Sequence, residues 1–208
     1  MVWGALIVSI GAVFFAFFAD RSGERRAGVL VDGGERSGQN LPIIKELSGF
    51  GLTNQLGANF SLDDLRGSPW VANIFFSRCP SICVRMTQRM REIQDATETE
   101  PSLNLVSITT DPVYDVPEVL DRYARRFGAD TNRWSFLTGD RASITHAIRE
   151  ELLLALEENP EESRSSELDL YTHSSLIVLV DGEGRIRSTY ESMGTNVVES
   201  LIADLGKL

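Results

Sequence analysis

The sequence predicts an α/β domain that follows a single membrane-spanning segment. An uncharged apolar stretch at residues 2–19 predicts the span. Beyond residue 42, short apolar runs typical of buried strands alternate with amphipathic patterns typical of helices. The chain's two cysteines, Cys79 and Cys83, lie where one strand pattern changes to a helix pattern, which places chemistry at that junction.

The composition is that of a folded domain with a sizeable core. The 208 residues include 42% hydrophobic and 24% charged residues. The net charge of −10 argues against nucleic-acid binding, because an acidic surface repels the phosphate backbone. Two cysteines in a chain of this length do not form a structural disulfide framework. Their proximity indicates a redox pair or a metal site.

Residues 1–19 are predicted to form a transmembrane anchor. The segment VWGALIVSIGAVFFAFFA has about the shortest length that spans a bilayer. A cleaved signal peptide is the alternative, but no basic residue precedes the segment and no small-x-small cleavage pattern is present. Residues 20–41, rich in Gly, Ser, Arg and Glu without an apolar period, are predicted to be a linker. The folded domain is therefore assigned to residues 42–208.

The first half of this domain predicts a hairpin, a strand and a helix. Residues 50–65 alternate around the turn at residues 56–59, which favours a β-hairpin. Residues 70–77, WVANIFFS, form a near-continuous apolar run, as in a strand buried on both faces. The helix that follows is predicted from an apolar face of four residues, Ile82, Met86, Met90 and Ile93.

The second half continues the alternation. Strands are predicted at residues 103–109 and 134–137, and helices at residues 116–127 and 142–156. The acidic segment 157–169 has no periodicity and is predicted to be mobile. A hairpin at residues 174–180 and 186–190 and a helix at 197–205 complete the chain. This order of elements is typical of a thioredoxin-like fold with an N-terminal β-hairpin and a C-terminal hairpin plus helix.

The cysteine pair has a predicted electrostatic role. Cys79 is predicted as the N-cap of the helix, with Pro80 at the first helical position and Cys83 on the same face of the first turn. A helix N-terminus stabilises negative charge and so favours thiolates, which are both nucleophiles and metal ligands. The alternative is a pair of buried structural cysteines.

The spacing allows either a disulfide or a clamp for a soft ion. Thiolates favour Cu(I), whereas an imidazole also suits Cu(II), so a third ligand from elsewhere in the chain is of interest. The chain has two histidines. His146 lies in a helix pattern and points away from its apolar face, so it is assigned to the surface. His173 lies at a loop-to-strand junction, where it could reach a site while its loop stays adjustable.

The chain resembles the Sco/SenC family, whose members deliver copper to the binuclear copper site of cytochrome c oxidase. The matching segments, in the family's order, are FSLDDLRGSPW, FFSRCPSIC, TTDPVYDVPEVLDRYARRFG and HSSLIVLVDGEGRI. The resemblance implies copper as the bound metal and Cys79, Cys83 and His173 as its ligands. It also implies a copper-receiving oxidase subunit or a redox partner protein as the partner.

The resemblance places the family's D-P-loop aspartate at Asp111. There it would lie near the site and orient a ligand, and its alternative role is a turn or cap residue beside Pro112. Two positions depart from the family pattern. Val84 stands where proline is usual after the second cysteine, and Thr172 stands where aspartate often precedes the histidine.

The predicted location involves a conflict. Arg21, Arg25 and Arg26 follow the apolar stretch, which by the positive-inside tendency places the domain in the cytoplasm. Members of the resembled family face the periplasm or the mitochondrial intermembrane space, and the chain has no arginine-rich transit pattern. The expectation is therefore a domain on the periplasmic side of a bacterial cytoplasmic membrane.

The sequence leaves three candidate functions. A copper metallochaperone for oxidase assembly leads, and a thiol–disulfide oxidoreductase acting on partner cysteines is the alternative. A peroxidase is weaker, because the sequence supplies no Thr and Arg set around a reactive cysteine as in peroxiredoxins. His173, and the absence of a proline in the segment YTHSSLI where a thioredoxin has its cis-proline, favour copper.

Overall fold

The computed structural model describes residues 40–99, 103–164 and 171–208. The predicted anchor and residues 20–39 of the predicted linker lie outside these ranges. Within them, no helix has the length and apolar character needed to cross a bilayer.

The described ranges contain ten strands and four main helices. The strands are β1 Lys45–Glu46, β2 Gly51–Asn54, β3 Asn59–Ser61, β4 Trp70–Phe75, β5 Asn104–Thr109, β6 Trp134–Thr138, β7 Leu156–Glu158, β8 Tyr171–His173, β9 Leu176–Val180 and β10 Arg185–Glu191. The helices are α1 Ile82–Ala96, α2 Pro117–Arg126, α3 Arg141–Thr145 with a π-helical continuation over His146–Glu151, and α4 Val197–Leu205. Short 3₁₀ turns cover Leu62–Leu65 and Glu161–Ser163.

Eight of the described strands form one mixed sheet in the order β1-β10-β9-β4-β5-β6-β2-β3. Strands β4, β5 and β6 run parallel, and antiparallel hairpins flank them on both sides. The predicted N-terminal hairpin, the C-terminal hairpin and the closing helix are confirmed. Strand β1, which pairs with β10, was not predicted, since two residues carry no readable period.

Strand β4 lies between the two hydrophobic cores of the domain. Its side chains alternate between two cores, as expected for a strand buried on both faces. Val71 and Phe75 pack in a core with buried residues of α1, α2 and α4. Trp70 and Ile74 pack in a second core with buried residues of α3 and the N-terminal hairpin. The carboxyl end of β4 therefore lies between helices, where its next residues can form a site.

Helix α1 begins later than the sequence predicts. Cys79 is not the N-cap; that position belongs to Ser81, whose φ of −132° and ψ of −84° lie outside the helical region. The Cys79 N–H donates to the Phe76 carbonyl at 3.2 Å, which closes a turn before the helix and delays its start to Ile82. The predicted apolar face is also shifted, because Ile82 is 37% exposed and Cys83 is buried in its place.

The helix predicted over residues 142–156 extends further along the chain than the helix in the structure. The helical region stops at Glu151, and Leu153 adopts a left-handed φ of 55°. After it, Leu154 and Leu156 are buried whereas Leu153 and Ala155 are exposed, which is the period of a strand. Leu156–Glu158 then pairs with Tyr171–His173, so part of the segment predicted to be mobile is an ordered strand.

Candidate functional site

The two cysteines lie at the junction between β4 and α1. Cys79 is in the turn after the strand and is 7% exposed, whereas Cys83 lies in the first turn of α1 and is fully buried. Neither forms a disulfide in this structure. Although Cys79 is not the N-cap residue, its sulfur accepts hydrogen bonds from the backbone N–H groups of Ser81 and Cys83. The sulfur is therefore at the helix N-terminus, as the sequence predicted for the charge.

The two thiols have opposite acidities. The hydrogen bond from the Cys83 thiol is the largest cause that lowers the pKa of Cys79 to about 5, against the opposing effect of burial. The backbone N–H groups and His173 lower it further. The pKa of Cys83 is raised, because its proton is held by the Cys79 sulfur and because it is buried. Near neutral pH the pair therefore holds one thiolate, on Cys79, and one thiol, on Cys83.

His173 completes the cluster from a distant part of the chain. It is the last residue of β8, and its Nε2 lies 3.4 Å from the Cys83 sulfur. Its Nδ1 lies 3.0 Å from the Ser174 carbonyl oxygen, which can only accept, so Nδ1 carries the proton. With Nδ1 engaged by that carbonyl, Nε2 is the ring nitrogen directed at the sulfur, which is the orientation that a metal-ligating histidine needs.

The β7–β8 pair fixes where His173 lies. Arg141 donates to the Tyr171 hydroxyl at 2.8 Å and lies 3.5 Å from the Glu158 carboxylate, so α3 is tied to both strands. The Phe76 ring packs edge-on against the rings of Tyr171 and His173, with centroid distances of 6.3 and 6.1 Å. His173 is thus held by a strand and an aromatic contact, and not by an adjustable loop alone.

Asp111 is buried but does not contact the cysteines or the histidine directly. Its carboxylate accepts from Arg78 Nη2 at 2.6 Å and Nε at 3.1 Å, and Arg78 immediately precedes Cys79. Its carbonyl accepts from the N–H groups of Tyr114 and Asp115, which closes the turn of the D-P loop. The structure therefore gives Asp111 the turn role, and it reaches the site through Arg78.

The sequence interpretation missed Asp115, a fully buried carboxylate beneath the site. It accepts hydrogen bonds from the Ser77 N–H at 3.0 Å and from the hydroxyls of Ser77 and Thr109. Burial is the main cause that raises its pKa. These bonds tie the carboxyl ends of β4 and β5 to the D-P loop. The one sequence signal was its position, four residues after Asp111 in TTDPVYD.

Tyr123 and Thr87 were also missed. The Thr87 hydroxyl donates to the Cys83 carbonyl at 2.8 Å and lies 2.9 Å from the Tyr123 hydroxyl. This links α2 to the first turn of α1 under the buried cysteine. His146, by contrast, is on the surface as predicted, with its Nε2 3.2 Å from the Gly49 carbonyl.

The sulfur and imidazole donors suit a soft metal ion, but they are not yet arranged as a complete metal site. Across the parts of the chain that the structure describes, no three His, Cys, Asp or Glu side chains are already arranged to hold a metal ion. The sulfurs of Cys79 and Cys83 are joined by a hydrogen bond, so binding requires Cys83 to lose its proton. Two sulfurs and the free nitrogen of His173 would then form an S₂N donor set, which fits copper in either common oxidation state.

The unequal acidities predict a measurable thiolate. The reduced protein should show the ultraviolet absorbance of one thiolate at neutral pH, and this absorbance should fall as the pH drops through about 5. In Cys83→Ala the pKa of Cys79 should rise, because the donor is lost. Cys83→Ser is the matched control, since its hydroxyl can still donate. An absorbance that first appears near an ordinary thiol pKa of about 8.5 would contradict this interpretation.

This domain is thioredoxin-like and has one activated thiolate, a neighbouring thiol and a facing imidazole. It therefore belongs to the class of thiol-based redox or soft-metal-binding domains. Comparison with known proteins makes the assignment specific. The family model described as SCO1/SenC matches residues 43–208. The chain therefore belongs to the SCO1/SenC family.

Individual relatives agree with this assignment. A SCO1/SenC family lipoprotein from Bacillus anthracis has a crystal structure with a TM-score of 0.70 and 30% identity, covering 83% of this chain and 98% of that one. BsSco, described with a disulfide switch and as a cytochrome c oxidase assembly protein, has a TM-score of 0.69 and 26% identity, covering 82% and 97%. A relative from Stutzerimonas stutzeri whose name refers to copper binding is 29% identical, covering 71% and 70%.

Proposed function

We propose that this protein binds one copper ion through Cys79, Cys83 and His173 and delivers it to the binuclear copper site of cytochrome c oxidase. The observation that carries the proposal is the approach of His173 Nε2 to the Cys83 sulfur, with Nδ1 occupied by the Ser174 carbonyl. A disulfide-exchange domain needs no such imidazole. Family membership and the relative whose name refers to copper binding support the choice of metal.

Each residue has a distinct role in this proposal. Cys79 supplies a thiolate at neutral pH, so it can bind incoming copper without first losing a proton. Cys83 becomes the second sulfur ligand after its proton leaves, which makes uptake dependent on pH. His173 supplies the nitrogen, and its contacts with Phe76 and the β7–β8 pair keep it beside the Cys83 sulfur. Asp111 supports the site by holding Arg78 beside Cys79.

Transfer is the test of the whole proposal. The copper-loaded protein is mixed with a metal-free oxidase fragment that contains the binuclear site, and the visible absorption of that site is followed. We expect the fragment to gain copper from the loaded protein. A Cys83→Ser protein, treated in the same way, should give no more transfer than buffer containing the same free copper. Copper that stays on the wild-type protein in the presence of the fragment would contradict delivery.

A second function, thiol–disulfide exchange with a partner's cysteines, is favoured by a specific observation. Cys79 is a thiolate at neutral pH and Cys83 is hydrogen-bonded to it, which is the arrangement of an attacking and a resolving cysteine. The disulfide switch described for BsSco is consistent with such chemistry. The two functions are compatible, since reducing a partner's cysteines prepares them to accept copper.

The proposal includes a membrane anchor at residues 1–19, with the domain on the periplasmic side of a bacterial membrane. We expect the protein to remain with the membrane fraction after a high-salt wash, because apolar insertion does not depend on ionic contacts. Protease added to intact spheroplasts should digest the domain. Protection from protease would show that the orientation indicated by Arg21, Arg25 and Arg26 is correct and that the family analogy fails for location.

A further inference from the structure

A cleft lies on the surface near Cys79, and none of the three proposed copper ligands lines it. Its lining, here called the arginine cleft, consists of Ser77, Arg78, Tyr114, Val119, Arg122, Tyr123 and Arg126. Its volume is about 280 Å³, which suits a few side chains and not a large cofactor. Ser77 and Arg78 directly precede Cys79, so the cleft adjoins the turn that carries Cys79.

Three guanidinium groups give the cleft a charge opposite to that of the chain. Arg78 is paired with Asp111, and its guanidinium lies 4.4 Å from the centre of the Tyr114 ring. Arg122 and Arg126 are exposed and have no ion-pair partner among the described residues. The chain as a whole has a net charge of −10. Positive charge is therefore concentrated beside Cys79 on an otherwise acidic protein.

The neighbouring acidic groups do not cancel this charge. Asp121 of α2 is paired with Arg125, and Glu118 does not line the cleft or form an ion pair with Arg122. Asp115 lies beneath Ser77 and is fully buried, where its oxygens are occupied by hydroxyl and N–H donors. The free charge that a partner meets at the cleft is therefore positive.

The segment around Tyr114, which lines the cleft, is exposed and partly apolar. Val113, Tyr114 and Val116 lie in the D-P loop and are 81%, 46% and 41% exposed. Tyrosine and arginine, which both line the cleft, are among the residue types enriched in the centres of protein interfaces. The exposed side chains of this segment leave apolar surface that binding a partner would bury.

We infer that the arginine cleft docks an acidic, cysteine-bearing segment of a partner protein and presents that cysteine to Cys79. Opposite charge explains why the partner segment is acidic. The remaining negative surface of the chain repels such a segment elsewhere, so the field also orients the encounter. The inference rests on the thiol exchange included in the proposed function, and it does not depend on copper.

The exchange is balanced within the two proteins. With a disulfide in the partner segment, the Cys79 thiolate attacks one sulfur and the other partner sulfur leaves as a thiolate. The Cys83 sulfur, losing its proton to that thiolate, then attacks Cys79 and releases the second partner sulfur as a thiolate. The result is a Cys79–Cys83 disulfide and a partner reduced by two electrons, so no other reductant or oxidant is required.

The test uses a short peptide with one cysteine activated as a thiopyridyl disulfide, in an acidic version and in a neutral version. Release of thiopyridone by the reduced full-length protein gives the rate constant for each peptide. At low salt, wild type should react about tenfold faster with the acidic peptide, and high salt should remove the difference. Arg122→Glu should make the two rate constants nearly equal, because it removes positive charge from the cleft. Arg149→Glu, an equal charge change on exposed α3 surface, is the matched control and should keep the preference.

The outcomes separate the docking inference from the proposed function. If wild type reacts equally with both peptides, or if Arg149→Glu lowers the preference as much as Arg122→Glu, the docking inference is wrong and thiol exchange stands. If neither peptide reacts, thiol exchange itself fails, and the docking inference fails with it. If Arg122→Glu slows both peptides by the same factor, the substitution acts on Cys79 reactivity and the docking inference is overturned.

Discussion

Replacing Cys83 by serine should abolish stoichiometric copper binding by the reduced protein. Wild type is expected to retain one copper per chain after loading and removal of excess metal. The variant should retain little, because two thiolates provide most of the affinity for a soft ion and a hydroxyl is a poor ligand for it. Cys79→Ser should have the same effect, since it removes the sulfur that is ionised at neutral pH. The measurement is copper per chain by metal analysis.

The cysteine variants need a control for folding, because Cys83 of α1 is fully buried in the core. Serine is close in size, so we expect the thermal unfolding midpoint to remain near that of wild type. Circular dichroism of each variant checks this. Full copper retention by a folded Cys83→Ser protein would eliminate the two-sulfur site and with it the proposed function.

Replacing His173 by alanine should separate Cu(II) binding from thiol chemistry. We expect Cu(II) affinity to fall at least as much as the 10–100-fold that is typical when a supporting partner of a ligand is lost. Cu(I) binding and Cys79–Cys83 disulfide formation should persist, because two sulfurs suit Cu(I) and a disulfide needs no imidazole. The assay is Cu(II) titration followed by the thiolate-to-copper absorption, with thiol counting under oxidant in parallel.

His146→Ala is the matched control for this variant. It removes the other histidine of the chain, which lies on the surface against the Gly49 carbonyl. Its Cu(II) titration should match that of wild type. If His173→Ala also titrates like wild type, His173 is not a ligand, and thiol–disulfide exchange becomes the leading function.

Local sequence patterns predicted the elements that depend on local physics. The continuous apolar run of β4, Pro117 at the start of α2 and Gly128 beyond its end, with a φ of 66°, all agree with the structure. The boundary of a predicted helix was wrong where the hydrophobic period of a helix and that of a strand overlap. Leu152, Leu154 and Leu156 fell within the predicted helix, but their buried alternation leads into β7, which begins at Leu156 and pairs with β8.

The start of α1 was predicted wrongly for a different reason. Pro80 is a good first helical residue, and the sequence offers nothing against that position. The hydrogen bond from Cys79 N–H to the Phe76 carbonyl closes a turn first, so the helix begins two residues after Pro80. The predicted electrostatic consequence survives, because the Cys79 sulfur still accepts N–H donors at the helix N-terminus.

The sequence by itself determined the α/β class and the order of its main elements, because hydrophobic period and turn residues are local properties. Donor chemistry singled out the cysteine pair, and the family resemblance implied the full ligand set with His173. The tertiary structure decided which groups meet. The contact of His173 with Cys83 depends on the pairing of β7 with β8 and on the Phe76 ring. The burial of Asp115 and the clustering of Arg78, Arg122 and Arg126 depend on how the D-P loop and α2 pack against β4. Such contacts join residues far apart in the chain, and their free energy comes from burial and pairing that no local pattern records.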